Sequence, residues 1–323
     1  MRRSSRVCRA STAVKLSSAL PSDDPLPRKR KPEKKDAVPN ENSKRSKQPS
    51  KVIAKTSASA LTHAPRTREE AAWKAGIPIV IGTDEAGRGP LAGPVVAAAC
   101  ALPADLAPIL GIGDSKTIVD EDVREELYEK IVRAPGVVWS ARIVSAARID
   151  EINILMASLE AMRLSVVDVL EASRCSADAT PPRNRALVCV DGPHSPWKEG
   201  AKYVDFQSPP LPEGADVTVE PITKGDAKVY CIAAASIIAK VTRDRAMRLY
   251  DAEWPMYDLK GHKGYPTPSH VGAISKHGAC AIHRRTFAPL KTRDLPPPSA
   301  AELKKVETIA ASLPTGCRAN PKI

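Results

Sequence analysis

The amino-acid sequence predicts an α/β fold, and three observations support this prediction. Short apolar runs rich in Val and Ile alternate with longer segments whose apolar residues recur at helical spacing. Hydrophobic residues make up 42% of 323 residues, which is enough for a sizeable core and for one or two domains. No apolar run reaches the ~18 residues that a membrane-spanning helix needs, so a span is not expected.

The predicted strands are short, apolar and bounded by turn residues. They lie at 77–81, 94–102, 137–144, 187–190 and 218–222. Acidic residues follow two of them, since the first is followed by Gly82-Thr83-Asp84-Glu85 and the fourth by Asp191-Gly192. Ligand sites in α/β proteins usually form at the ends of strands, so these acids are candidates for a functional site.

The predicted helices have apolar residues at a period near 3.6. They lie at 120–133, 149–170 and 227–253. The third contains the small residues Ala233-Ala234-Ala235. The polar, Pro-containing residues 174–186 are predicted to form an inserted loop, and the part after Pro266 to form loops and short helices.

The N-terminal residues 1–74 are predicted to be disordered, because they are rich in Ser, Lys, Arg and Pro and have no sustained apolar period. They hold 19 Lys+Arg and 7 Asp+Glu, which accounts for the whole net charge of +12. No acid precedes Asp23, a composition typical of an organellar transit peptide. The basic cluster 28–31 favours a nuclear or nucleic-acid-binding segment instead. We therefore expect a mitochondrial location, with the nucleus as the alternative.

Seven scattered cysteines form no C-x-x-C pair. This argues against a disulfide scaffold and a cysteine zinc site, and it favours a reducing compartment. His262, His270 and His277 are irregularly spaced and no cysteine joins them, so surface or capping histidines are favoured over a zinc site.

Four acids are candidates for metal chemistry. Asp84, Glu85 and Asp191 lie at predicted strand ends, whereas Asp244 lies on the long helix between two arginines. Each acid alone is more often structural, at a turn or in a surface ion pair. Together, beside glycine-rich and basic segments, they favour Mg²⁺ binding. Such a cluster is what a nuclease needs to hold two divalent ions about 4 Å apart around a phosphodiester.

The segment 84–95, D-E-A-G-R-G-P-L-A-G-P-V, resembles the signature of ribonuclease HII, the type 2 ribonuclease H family. Further elements follow in the family's order: D-S-K at 114–116, N-I-L at 153–155, V-D-G at 190–192, K-G-D at 224–226, A-A-S-I-I-A-K-V at 234–241 with R-D-R at 243–245, H-K-G-Y-P-T at 262–267 and H-R-R-T-F at 283–287. The resemblance extends from about Ile79 to Pro289 and is closest to the bacterial single-chain branch. The N-terminal tail, the 174–186 insertion and the stretch after Leu290 depart from it, which indicates a eukaryotic, protist-like member.

The resemblance implies an RNase H-like fold, in which a mixed five-stranded sheet is flanked by helices and followed by a small helical C-terminal extension. It divides the chain into the N-terminal extension 1–74, a catalytic domain 75–293 and a C-terminal tail 294–323. It also implies hydrolysis of the RNA strand of RNA·DNA hybrids and incision 5′ of single ribonucleotides in duplex DNA. The products carry 3′-hydroxyl and 5′-phosphate ends.

The resemblance also assigns roles to individual residues. The catalytic acids and ligands of Mg²⁺, for which Mn²⁺ can substitute, are Asp84, Glu85, Asp191 and Asp244. The residues expected to contact substrate are Gly87, Arg88 and Gly89 at the ribonucleotide, Tyr265 on the sugar of the following deoxynucleotide, and Lys116 and Lys224 on phosphates. Glycines suit the first task because they let the main chain approach the sugar, and the 2′-hydroxyl is the group that separates RNA from DNA.

The expected partners are RNA·DNA hybrids and DNA containing ribonucleotides. We expect no membrane partner, and a monomer without an obligatory protein partner. Two other interpretations are a non-enzymatic hybrid-binding protein and another nuclease of the same superfold, such as a resolvase or transposase. The four intact acids disfavour the first, and the D-E-A-G-R-G sequence disfavours the second.

Overall fold

The computed structural model of the protein describes residues 63–113, 118, 120–174, 184–197 and 211–319. Its centre is one mixed sheet with strand order β5-β4-β1-β2-β3-β6. The strands are β1 Ile79–Ala86, β2 Val95–Ala101, β3 Val138–Val144, β4 Arg185–Asp191, β5 Asp216–Ile222 and β6 Gly316–Ala319. The α/β class and the five predicted strands are confirmed, and β6 adds a short sixth strand beside β3.

The sheet combines two kinds of pairing. Strands β1, β2 and β3 are antiparallel neighbours, whereas β4 runs parallel to β1 and β5 runs parallel to β4. Parallel strands need a crossover connection, and here the helical segments Ala146–Ile152 and Ile154–Arg174 join β3 to β4. The parallel half brings the carboxyl ends of β1 and β4 to the same sheet edge.

Eight α-helices accompany these strands in the described residues. They are α1 Thr67–Lys74, α2 Glu121–Arg133, α3 Ala146–Ile152, α4 Ile154–Arg174, α5 Tyr230–Glu253, α6 Leu259–His262, α7 Pro268–His277 and α8 Ala300–Ser312. None of these helices is long and apolar enough to cross a membrane.

The core has one layer on each face of the sheet. Alternate residues of β2 point to opposite faces, as a strand requires. Val96, Ala98 and Cys100 belong to the layer that contains α5. The residues between them belong to the layer that contains α4. A third cluster packs the C-terminal helices against the end of α5 and thereby places the 262–290 segment beside the β1–β2 connection.

The structure differs from the sequence prediction in five places. Of the loop predicted at 174–186, Arg174 ends α4 and Arg185 begins β4, while residues 175–183 lie outside the described residues. The helix predicted at 149–170 is two helices, because Asn153 has a φ of 69° and its side chain caps Leu155 and Met156. The last eight residues of the segment predicted as disordered form α1. The predicted C-terminal tail contains α8 and β6. The acids of the first strand lie within β1 rather than after it.

Candidate active site

The candidate site lies at the carboxyl ends of β1 and β4. Asp84 and Glu85 are consecutive residues of β1, and Asp191 is the last residue of β4. In the parallel register Thr83 pairs with Val190, so Asp84 and Asp191 occupy the next position on neighbouring strands. Three of the four predicted acids are therefore brought to one edge of the sheet.

The electrostatics of this edge are unfavourable for Asp84, whose side chain is buried. Burial, followed by the negative charges of Glu85 and Asp191, raises the pKa of Asp84 well above its ordinary value. A hydrogen bond from the Ser236 side chain and one from the Glu85 amide, at 2.7 Å, act in the opposite direction. When all three carboxylates are ionised and no cation is bound, their negative charges repel one another at this edge.

The loop after β5 supports Asp191 and contributes an acid that the sequence interpretation passed over. The Gly225 amide donates to Asp191 Oδ1 at 2.6 Å. The next residue, Asp226, is a buried acid in the single 3₁₀ turn Gly225–Ala227. The K-G-D element was interpreted for its lysine, but its aspartate sits next to the residue that binds Asp191. An acid one residue from a glycine in a matched element is the signal that could have identified it.

The structure places Asp244 apart from the other three acids. Its Oδ1 accepts a hydrogen bond from Lys240 Nζ at 2.7 Å, and its Oδ2 lies 3.7 Å from Arg124 Nη2. Ser236, which bonds Asp84, precedes Asp244 by eight residues on α5, a rise of about 12 Å.

The donor set fits a hard divalent cation by its chemistry. Mg²⁺ and Mn²⁺ prefer carboxylate oxygens and keep several waters, and Asp84, Glu85 and Asp191 offer such oxygens at one edge. The raised pKa of Asp84 marks a place where positive charge would be stabilised. Within the described ranges, no three His, Cys, Asp or Glu side chains are gathered closely enough to hold a metal ion as they stand.

The predicted substrate residues of the β1–β2 connection lie next to the acids. We call residues 87–94 the glycine loop. Gly87 has a φ of 101°, and a Cβ there would lie 2.1 Å from Arg243 Nε. Arg88 is half exposed and lies 3.5 Å from Glu85 Oε1. Tyr265 Cε1 is 3.5 Å from the place where a Gly89 side chain would begin, so the exposed tyrosine ring and the glycine loop form one surface.

Of the two lysines predicted to bind phosphates, the structure describes only Lys224. Lys224 is exposed and has a φ of 56°, directly before the Gly225 amide that bonds Asp191. It therefore lies at the rim of the acidic edge. Lys116 lies outside the residues that the structure describes.

A small cleft opens beside the acids. Its polar wall contains Glu85, Arg88 and Asp191, and helix α4 supplies an apolar wall. The residues of the opposite wall are Leu155, Ser158, Leu159 and Met162, with Gly192, Pro193 and His194 at the end of β4. Charged and apolar surfaces thus meet where the acids are accessible.

The three histidines that invite a zinc interpretation are occupied by other contacts. His262 Nε2 contacts the Tyr257 carbonyl at 2.6 Å, and the His262 ring stacks on His270 at 4.3 Å between centroids. His270 Nδ1 contacts the Tyr265 carbonyl at 2.9 Å. His277 lies edge-on to Tyr257. These contacts hold the segment that carries Tyr265.

Comparison with known proteins identifies relatives that share most of this domain. The sequence profile described as "Ribonuclease HII" matches residues 81–290. "Ribonuclease HII 2" of Methylibium petroleiphilum is 45% identical over 215 residues, which are 66% of this chain and 83% of that protein. "Ribonuclease HII" of Acidovorax sp. is 45% identical over 224 residues, 69% of this chain and 91% of that protein.

A solved structure also aligns with the chain. The ribonuclease H2 from Pyrococcus horikoshii is 23% identical, covers 72% of this chain and 98% of its own, and superposes with a TM-score of 0.43. The profile match includes the whole acidic edge, the glycine loop and the segment that carries Tyr265.

Proposed function

Because the chain belongs to the ribonuclease HII family, enzymes that cleave RNA in RNA·DNA hybrids, we propose that it also incises duplex DNA 5′ of single embedded ribonucleotides. Hydrolysis leaves 3′-hydroxyl and 5′-phosphate ends. The observation that supports this most is the adjacency of three acids of β1 and β4 to the glycine loop and Tyr265. Acids and a sugar-reading surface are thereby within reach of one nucleotide.

The proposed cofactor is Mg²⁺, with Mn²⁺ as a substitute. Asp84, Glu85 and Asp191 would hold it through their carboxylate oxygens. Bound divalent ions lower the pKa of a water molecule and stabilise charge on the leaving oxygen of a phosphodiester. The protein's own part is to bring these carboxylates to one edge and to orient them.

Two hydrogen-bond donors perform that orientation. The Gly225 amide fixes one oxygen of Asp191, and the Ser236 side chain bonds Asp84. Each donor leaves further carboxylate lone pairs for other partners, since an ionised carboxylate accepts about four hydrogen bonds. Arg88 beside Glu85 and Lys224 at the rim supply positive charge for the phosphates on either side.

Asp226 is the fourth acid of the site in this proposal, in place of Asp244. It is buried next to Gly225, whereas Asp244 is paired with Lys240 and Arg124. Asp244 then stabilises the packing of α2 on α5.

Two matched substitutions separate these roles. Asp226→Asn should reduce kcat by at least about 100-fold and weaken the activation by Mg²⁺, the loss typical of one electrostatic group in an active site. Asp244→Asn should mainly lower the melting temperature and leave the Mg²⁺ dependence unchanged. The opposite pattern would restore Asp244 to the site and remove Asp226 from it.

The activity itself is tested with a duplex that contains one ribonucleotide. The wild type should cut on its 5′ side in Mg²⁺ and remain inactive in EDTA, and Asp84→Asn should bind the duplex without cutting it. A requirement for several consecutive ribonucleotides would refute the proposal, and so would cleavage that survives EDTA. End-labelled products, treated with phosphatase, determine which end carries the phosphate.

Further parts of the proposal concern partners and location. The protein acts as a monomer on nucleic acid, without an obligatory protein partner, in the mitochondrion or, as the alternative, in the nucleus. The absence of acids before Asp23 supports the mitochondrion, and the basic cluster 28–31 supports the nucleus. A fluorescent fusion of residues 1–74 distinguishes them, and size-exclusion chromatography with light scattering measures the subunit number.

A further inference from the structure

One buried guanidinium, that of Arg284, holds both ends of the glycine loop from the inside. Its Nη2 donates to the Gly87 carbonyl at 2.6 Å, and its Nη1 donates to the Arg88 carbonyl at 3.0 Å. Its Nε donates to the Gly93 carbonyl at 3.0 Å, and Nη2 also reaches the Pro94 carbonyl at 3.1 Å. A single side chain therefore fixes the first and last turns of the loop.

The position of Arg284 is itself fixed by the same loop. Its amide donates to the Leu91 carbonyl at 2.8 Å, and the neighbouring His283 forms a bridge with Ala92. The Gly93 amide donates back to the Ile282 carbonyl at 2.8 Å. The guanidinium is thus built into the loop on two sides and has little freedom to move.

Stability alone does not account for a charge at this place. The Arg284 side chain has no solvent exposure, and burial, followed by the charge of Arg243, lowers its pKa to about 9. Burying a cation is costly, and replacing buried charges by apolar groups often leaves a protein equally stable. Because the guanidinium binds four main-chain carbonyls, its role is to fix the conformation of the glycine loop.

That geometry has a consequence for the amides. In a planar trans peptide the C=O and the N–H point in opposite directions. Because the carbonyls of Gly87 and Arg88 point inward to Arg284, the amides of Arg88 and Gly89 point outward. Neither amide donates a hydrogen bond to another residue in the described part of the chain. A carbonyl that accepts from a cation also polarises its peptide, which strengthens the donor on the other side.

The outward side of these peptides is the side of the substrate surface. Glu85 and Arg88 line the cleft at the acidic edge, and the ring of Tyr265 lies against Gly89. Two adjacent amide donors therefore stand between the acids and the tyrosine ring. They suit a single small oxygen acceptor better than a flat base, because they are consecutive along the chain.

We infer that Arg284 is a positioning residue that aims the amides of Arg88 and Gly89 at the 2′-hydroxyl oxygen of a ribonucleotide, and that it thereby sets the preference for RNA over DNA. This inference rests on the proposed function. Arg284 touches neither substrate nor metal, and it acts through the two peptides that it orients.

The test is the substitution Arg284→Lys, which retains a charge but loses the planar fork. Binding is measured by fluorescence anisotropy in EDTA, for a DNA duplex with one ribonucleotide and for the same duplex without it. The wild type should prefer the ribonucleotide by about 10- to 100-fold, the value of one or two hydrogen bonds. In the variant this preference should fall below about threefold, while the affinity for the all-DNA duplex changes less than about twofold. The control Arg293→Lys, in the same segment on an exposed contact with Ser275, should keep the wild-type ratio.

The outcomes are distinguishable from those of the proposed function. A wild type that does not cut the ribonucleotide duplex in Mg²⁺ refutes the proposed function, whatever the variant does. A wild type that cuts, together with a variant that keeps its preference, overturns only the role of Arg284. Equal loss of both affinities also overturns it, because that is the result of a merely structural residue.

A second measurement does not depend on the variant's folding. In wild-type protein labelled with ¹⁵N, the amide resonances of Arg88 and Gly89 should shift downfield when the ribonucleotide duplex binds in EDTA. The all-DNA duplex should leave them in place. Amides that respond equally to both duplexes would overturn the inference.

Discussion

Gly82 offers the sharpest test of how the fold positions the site. It lies in β1, two residues before Asp84, where helix α5 crosses the strand. A Cβ at this position would lie 2.1 Å from the Cys231 carbonyl carbon and 2.2 Å from the Ile232 amide nitrogen. Both are main-chain atoms of α5, so no side-chain rotation can relieve the contact.

The loss of stability expected for Gly82→Ala can be estimated from the 2.1 Å distance. Ordinary contact begins at 3.4 Å, so Gly82→Ala must move α5 away from β1 by about 1.3 Å, or deform one of them. Overpacking a core costs about 1–3 kcal/mol, and a main-chain contact belongs at the upper end of that range. About 3 kcal/mol corresponds to a melting temperature lower by roughly 6–12 °C in a domain of this size.

The same displacement should reduce activity. Ser236 on α5 bonds Asp84, and a misplacement of about 1 Å at a catalytic group costs roughly 100-fold. Cleavage of a ribonucleotide-containing duplex in Mg²⁺ at 10 °C below the variant's melting temperature measures this loss in folded protein. We expect kcat to fall by about 100-fold.

Gly272→Ala is the matched control, because Gly272 lies in α7 and a Cβ there meets no atom within 4 Å. It should raise stability by up to about 1 kcal/mol through helix propensity and leave kcat unchanged. A Gly82→Ala variant that melts within 2 °C of the wild type and cuts at the wild-type rate would refute the close packing of α5 on β1.

Three further predictions concern Asp84 and His283, whose pKa values are shifted, and Glu69, whose carboxylate binds the first turn of α5. The raised pKa of Asp84 means that its neutral form is favoured by folding, so its contribution to stability is present below its unfolded pKa and is lost as the pH rises through the folded value. Asp84→Asn should therefore raise the melting temperature at pH 7 in EDTA but not at pH 3, and Mg²⁺ should stabilise the wild type more than the variant. Burial lowers the pKa of His283 to about 3, so stability should decrease as the pH falls from about 6.5 towards 3. His283→Gln should make the melting temperature less dependent on pH in this range. Glu69 Oε1 accepts from the Cys231 amide at 2.7 Å, and Glu69→Ala should cost about 1–3 kcal/mol in denaturant unfolding without changing the KM for substrate.

The five predicted strands follow from local sequence, because short apolar β-branched runs between turn residues specify buried strands. The break at Asn153 was not predictable from periodicity, since the apolar spacing continues from Ile152 to Leu155 across it. Only the capping side chain and the positive φ of Asn153 separate α3 from α4. For α8 a local signal existed, because Ser299 and Glu302 form a capping box in a segment interpreted as a tail.

The acids of β1 and β4 could be predicted because strand ends meet at one edge of a parallel pair. The fourth acid could not be chosen in this way. Asp226 and Asp244 both stand in segments that resemble the family's motifs. Only the fold shows that Asp226 lies in the 3₁₀ turn beside Asp191, whereas Asp244 lies in the second half of α5. Arg284 was equally inaccessible to sequence reasoning, because an arginine between two polar residues is usually exposed.

Helix α5 connects the two halves of the site. Ser236 and Arg243 are seven residues apart, two helical turns, and so share one face at a separation of about 10.5 Å along the axis. Ser236 bonds Asp84, whereas Arg243 Nε donates to the Pro94 carbonyl at 3.1 Å beneath the glycine loop. The helix thus sets the distance between the acidic edge of the sheet and the glycine loop. Changes that displace α5 should therefore reduce cleavage and ribonucleotide preference together. Arg284→Lys, which leaves α5 in place, should reduce the ribonucleotide preference without lowering the affinity for the all-DNA duplex.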